Sequence, residues 1–211
     1  MRFAAALALL LAAGIVVPAA AAAQAGSKPP RGLATEALSG ESVALLPLTL
    51  VVVDPVLRGD SAITALGHRE RLLLWADSVV GDAFQGRAPE VAWVLPARLR
   101  QMARRNAGMV PDPDQMGQAI LRAPKLTRIP DPLRGSLRSL TAISGGRFAM
   151  APAALGFSRD SAGGFRADLT LALADTRRGV VVWRSATFGS GAAPGDALAA
   201  AVAAVLPAPG P

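Results

Sequence analysis

Apolar and polar positions alternate most regularly near the carboxyl end of the chain. Over Phe165–Asp175, Leu169, Leu171 and Leu173 alternate with Thr170, Ala172 and Ala174. That two-residue period gives a strand one face of large side chains and one of small ones. A polar tip, Thr176-Arg177-Arg178-Gly179, leads into a second β-rich run from Val180 to Phe188, so the pair predicts a hairpin. Its leucine face needs a cover, and amphipathic helices before and after it can supply one.

From the amino side, Ser42–Val53 is almost wholly apolar, as expected of a strand covered on both faces. Pro47 cannot donate a ladder hydrogen bond, so it marks a bulge or splits the run. After a turn-rich stretch, a helix is predicted over Thr64–Gln85. Leu72, Ala76, Val79 and Ala83 form its stripe, Leu73, Val80 and Phe84 widen it, and Arg69, Glu70, Asp77 and Asp82 lie outside it. Gly86 is placed to end it. Glu90–Leu95 reads as a short strand, and Pro96 opens a helix over Ala97–Asn106. Strand, helix, strand and helix in that order predict a βαβ unit with parallel pairing.

Asp112-Pro113-Asp114-Gln115 has the form of a capping box for a helix reaching Arg122. Asp131-Pro132 repeats the start signal ahead of the stripe Leu133, Leu137, Leu140 and Ile143. Arg147–Ser158 is a strand in which Pro152 marks an edge or a bulge, and Asp196–Leu206 is an alanine-rich helix with Leu198, Val202 and Val205 or Leu206 turned to the sheet. Together these elements predict one α/β domain over residues 41–207. Its mixed sheet has about five strands, an N-terminal βαβ unit and a C-terminal antiparallel meander, flanked by helices. Gly26–Gly40 reads as a flexible linker and 208–211 as a frayed tail.

The first 25 residues have a different character. Met1-Arg2, an apolar run from Phe3 to Val17 and small residues at Ala23 and Ala25 predict a signal peptide cut between Ala25 and Gly26, with a cut after Ala23 as the alternative. The apolar run is shorter than the ~20 residues that a bilayer requires. The mature chain is therefore expected in the periplasm or secreted. With no cysteine in 211 residues, disulfides, thiolate metal sites, cysteine nucleophiles and a cysteine-linked lipid are all excluded.

Charge adds less than its size suggests. The formal +7 falls to +6 with the leader, whose only charged residue is Arg2, and the basic residues are nearly all arginine in a chain rich in alanine, glycine and proline. In the helix opened by Pro96, Arg98 and Arg105 share a face with Arg104 at its margin, a surface for an anionic partner. Without tyrosine and with few other aromatics, the chain lacks stacking platforms for nucleic acid. Trp75, Trp93 and Trp183 fall on apolar stripes or strands and read as core.

Catalytic residue types are scarce. His68 is the single histidine, no Gly-x-Ser-x-Gly elbow exists, and Gly156-Phe157-Ser158-Arg159-Asp160 lacks the second glycine. Zinc would need several carboxylates around that one histidine. Asp112, Asp114 and Asp131 read as helix caps. Gly145-Gly146 and Gly163-Gly164 are turns without a phosphate-loop ending. No cofactor is implied.

The order leader, Val-Ala-Leu-Leu-Pro-Leu strand, long helix, short strand into an arginine-rich helix, and closing hairpin resembles the envelope α/β module shared by the TolB amino-terminal domain, CsgG and LpoB. Asp175-x-x-x-Gly179 followed by three valines and Trp183 carries most of the likeness. The resemblance implies a mixed sheet flanked by helices and a noncatalytic role in binding an envelope protein. The transport and activator lipoproteins of that group are lipidated on a cysteine, which this chain lacks. The leading expectation is thus an exported noncatalytic module binding an envelope protein or an anionic envelope polymer. Its rivals are a hydrolase relying on carboxylates or His68, and an electrostatic binder of polyanions.

Overall fold

The structure, a computed structural model, describes residues 30–207. The expected leader with its Ala25–Gly26 junction, the start of the linker and the 208–211 tail lie outside the described residues. Six strands form one mixed sheet: β1 (Ser42–Leu45), β2 (Val51–Val53), β3 (Ala92–Val94), β4 (Phe148–Arg159), β5 (Phe165–Asp175) and β6 (Val180–Gly191). Their order is β3-β1-β4-β5-β6, with β2 also against β4. The helices are α1 (Ser61–Ala65), α2 (Arg69–Arg87), α3 (Pro96–Arg105), α4 (Leu133–Ile143) and α5 (Pro194–Ala203). The parallel β1–β3 pair and the antiparallel β4-β5-β6 meander are the expected βαβ unit and closing hairpin.

Pro47 decides where the first apolar run breaks. It has no N–H for a ladder, and the run separates into β1 and β2, which pair with successive parts of β4: Leu45 opposite Met150, then Val51 opposite Leu155. Six strands result where five were expected. Pro152 lies in β4 across from that gap, and the β4–β5 register shifts between Pro152 and Ala154. The bulge reading of Pro152 holds; the edge reading does not, because β4 has neighbours on both sides.

The sheet separates two cores. Leu169, Leu171 and Leu173 join Val43, Leu45, Met150, Phe157 and Trp183 beneath α2 and α5. The opposite face presents Ala149, Ala151, Ala153, Ala172 and Ala174, whose small side chains admit Leu99 of α3 and Leu133, Leu137 and Leu140 of α4. At the hairpin tip Asp175 accepts from the Arg178 N–H (3.0 Å), and the Gly179 N–H donates to the Asp175 carbonyl (2.8 Å). These bonds are ordinary turn chemistry.

Several boundaries differ from the sequence reading. The long helix is interrupted at 66–68, so α2 begins at Arg69; it runs past Gly86 to Arg87. The helix expected over 112–122 is instead two 3-10 turns, Pro113–Gln115 and Gln118–Arg122, because Gly117 between them is left-handed (φ 75°). Arg184 then pins the chain that follows by donating to the carbonyls of Leu121 (2.7 Å), Pro124 (3.0 Å) and Leu126 (2.6 Å).

Residues 32–40 are packed, where a flexible linker was expected. The Leu33 N–H donates to the Val205 carbonyl (2.7 Å), Trp183 Nε1 donates to the Gly32 carbonyl (3.0 Å), and Leu33 and Leu38 are buried. A buried indole N–H needs an acceptor, and this short segment supplies it.

The α5–β6 contact is close enough that a Cβ on Gly189 would collide with the backbone of Ala197 and Ala201. Gly189→Ala is expected to destabilise by about 1–3 kcal/mol or more through overpacking, and Leu171→Ala by about 2–5 kcal/mol through a cavity. Urea unfolding midpoints check both.

Candidate functional site

The carboxyl end of a parallel strand is where open α/β sheets place their clefts, and here that end carries the Pro47 break. The freed Leu48 N–H donates to Asp77 Oδ1 (2.7 Å), and Gln118 Nε2 donates to the carbonyls of Pro47 (3.0 Å) and Pro113 (2.9 Å). Asp77 lies in the middle of α2 and is only 5% exposed. The sequence reading set it outside the apolar stripe. Position 77 stands four residues after Leu73 and three before Val80, however, so it falls inside the stripe that those residues widen.

The second oxygen of Asp77 accepts from Arg100 Nη2 (2.5 Å), and Arg100 also donates Nε (2.8 Å) and Nη2 (2.7 Å) to Asp114. One guanidinium thereby ties α2, α3 and the Pro113–Gln115 turn together. Burial pushes the Asp77 carboxyl up to about 6, against the lowering pull of the Leu48 N–H and Arg100, and the Asp114 charge adds to the rise. Burial also works against the Arg100 charge, but Asp114 and Asp77 hold it above its ordinary value.

Outside this network opens a cleft of about 580 Å³, lined by Leu48 and Thr49, by Arg69, Glu70 and Leu73 of α2, and by His68, Arg100, Asp112 and Asp114 among others. Arg69 Nη2 donates to the Thr49 carbonyl (2.6 Å) at its rim. His68 and two aspartates thus do share one concavity, which the hydrolase reading requires. Their bonds are nonetheless assigned elsewhere. Asp114 is held by Arg100; Asp112 accepts from the Asp114 N–H (3.0 Å) and, at 3.4 Å, from Gln115. The His68 side chain is 70% exposed, with Glu70 3.8 Å away.

The cap reading holds for Asp112 alone: Asp114 is an ion-pair partner, and no side chain caps α4, which begins after Asp131-Pro132. Arg98, Arg104 and Arg105 are all exposed on α3. Arg98 donates to Gln101 (2.5 Å). Arg104 faces a smaller hollow that it shares with Asp112 and Asp114, so carboxylates offset its charge. Trp93 and Trp183 are buried, and the half-buried Trp75 packs on Phe157 with ring centres 6.2 Å apart. A shallow apolar hollow of about 470 Å³ lies on the open sheet beneath Val52 and Phe188. Among the described residues no three metal-ligating side chains gather, and no helix is long and apolar enough to cross a membrane.

A carboxylate whose folded value lies above its unfolded one holds its extra proton between about pH 4 and 6. The stability this confers is full below that window and is lost as pH rises through it. Asp77→Asn removes the slope, so its unfolding midpoint is expected to gain on that of the native chain between about pH 4 and pH 7. Arg100→Met is expected to cost about 3–5 kcal/mol at neutral pH, where buried Asp77 loses its counter-charge and must take up a proton or stay charged unpaired, and less near pH 4, where it is already protonated. Urea unfolding at the two pH values checks both.

No protein-family model and no curated protein sequence matches the chain. Among solved structures it is similar to the LpoB C-terminal domain from Salmonella enterica, at 11% identity over 72% of this chain and 83% of that one, with a TM-score of 0.36. Lipoprotein GNA1162 from Neisseria meningitidis is similar at 15% identity over 72% and 81%, TM-score 0.34. A PelC dodecamer from Paraburkholderia phytofirmans is similar at 13% identity over 84% and 92%, TM-score 0.34. At these scores the likeness carries nothing about partner or activity.

Proposed function

We propose that the chain is an exported, noncatalytic envelope module that binds another protein or an anionic envelope polymer. The observation that carries this reading is how the ionisable groups are used. Asp77, Arg100 and Asp114 hold the Pro47 break and the surrounding helices, while Arg98, Arg104 and Arg105 remain at the surface of α3. A surface of that kind recruits acidic partners at a rate that salt suppresses. The leader motif and the likeness of the closing hairpin to the TolB, CsgG and LpoB module agree with export and with partner binding.

The test is capture from an envelope fraction by the immobilised mature chain. Retained protein or wall polymer is expected, falling at raised salt and in the triple variant Arg98→Gln, Arg104→Gln, Arg105→Gln. Retention of nothing by a folded, monomeric mature chain overturns the reading.

The cleft favours one alternative, a hydrolase using His68 with Asp112, since Asp114 is held by Arg100. It requires turnover of a model ester, phosphoester or glycoside that disappears in both His68→Ala and Asp112→Asn. Turnover that survives either substitution, or none at all, removes it.

A further inference from the structure

A second concentration of positive charge lies away from α3, around the hairpin tip. Arg177 and Arg178 occupy the tip itself, and the Arg134 side chain lies against Gly179. Arg138 and Arg177 border one hollow, with Thr141 and Thr176, while Arg178, Arg147 and Arg31 border another on the far side of the hairpin. Arg31, Arg134, Arg138, Arg177 and Arg178 are all exposed. The carboxylate beneath them, Asp175, is 1% exposed and spent on Arg147 (2.5 Å) and on the Arg178 N–H. Asp131 at the start of α4, Glu41 near Arg147, and Glu36 and Glu90 around the Thr35–Leu38 turn are other acids at this end, while Arg134, Arg138, Arg177 and Arg178 cluster at the hairpin tip itself, where positive charge predominates.

Two further facts bear on what this end meets. The chain joins the fold here: Gly32 and Leu33 are fixed by Trp183 and Val205, and Arg31 stands in the same hollow as Arg147 and Arg178. The cleft at Leu48 and Thr49 lies past the other end of β1, since Val43 near the start of that strand pairs with Phe148 beside Arg147.

We propose that the arginine-bearing end, centred on Arg138, Arg177 and Arg178, docks on an anionic phospholipid surface and turns the cleft away from it. Arginines within a Debye length of an anionic leaflet each add to partitioning, and five exposed arginines, Arg31, Arg134, Arg138, Arg177 and Arg178, gather at this end. The proposal rests on the export reading but needs neither the α3 surface nor any protein partner.

The probe is co-sedimentation of the mature chain with vesicles of phosphatidylcholine alone, or of phosphatidylcholine mixed with phosphatidylglycerol, at low and raised salt. Binding is expected only to the mixed vesicles and to fall with salt. Arg138→Gln, Arg177→Gln and Arg178→Gln combined are expected to weaken it about 100-fold. Among the described residues none of these three side chains makes a hydrogen bond, and only the pull of Arg178 on the Asp175 charge is given up, so circular dichroism should stay native and the unfolding midpoint close to it. Lysine at the same three positions should retain binding, because charge near the surface is what matters. The α3 triple variant should bind mixed vesicles much as the native chain does.

No binding to mixed vesicles overturns the proposal, as does binding unchanged in the tip variant or lost equally in both triple variants. Retention on a soluble anionic polysaccharide with vesicles ignored also overturns it. Envelope capture that persists in the tip variant leaves the function proposed above intact, so the two can fail separately.

Discussion

A proline in the middle of a strand buried on both sides leaves backbone groups that no ladder can satisfy, and much of this molecule is arranged around that fact. Pro47 removes one donor and turns its neighbours out of register. The Leu48 N–H and the Pro47 carbonyl must then find partners inside the protein, where an unmet polar group costs about 1–3 kcal/mol. Asp77 and Gln118 are those partners. A carboxylate at 5% exposure needs a counter-charge in turn, and Arg100 provides it while also gripping Asp114. One missing N–H thus accounts for a buried acid, a half-buried base and a buried glutamine drawn from three separate segments.

The sheet answers a different demand. Its two faces carry side chains of unequal size, so the layers above and below it cannot be the same. Leucines on one side meet α2 and the alanine-rich α5, whose own small residues let it lie flat on Gly189. Alanines on the other side meet the leucines of α3 and α4. Volume lost on one partner is restored on the other, as close packing requires.

The closing hairpin, α4 and α5 were legible because a single period ran through each of them, α3 because Pro96 opens it, and the parallel unit because strand, helix, strand and helix follow one another in order. Where local signals competed, the sequence was less plain. The 112–122 stretch carries a capping box, but Gly117 and the inward turn of Gln118 to Pro47 override it with tertiary bonds. Residues 32–40 look unstructured beside Pro29 and Pro30, yet two leucines and one carbonyl acceptor suffice to fasten them. Asp77 was misjudged because an acid was counted as polar by type, although its place in the stripe was apolar. The grouping of Arg134 and Arg138 with Arg177 and Arg178 depends on α4 lying against a hairpin tip forty residues further on, and no local pattern carries that information.

The hydrogen bond from Leu33 to Val205 draws the first and last packed segments of the described chain into one seam beside Trp183. Release of residues 32–40 would take away the acceptor of the Trp183 indole N–H and uncover the ring, so the environment of this one tryptophan registers whether the two ends of the described chain are joined.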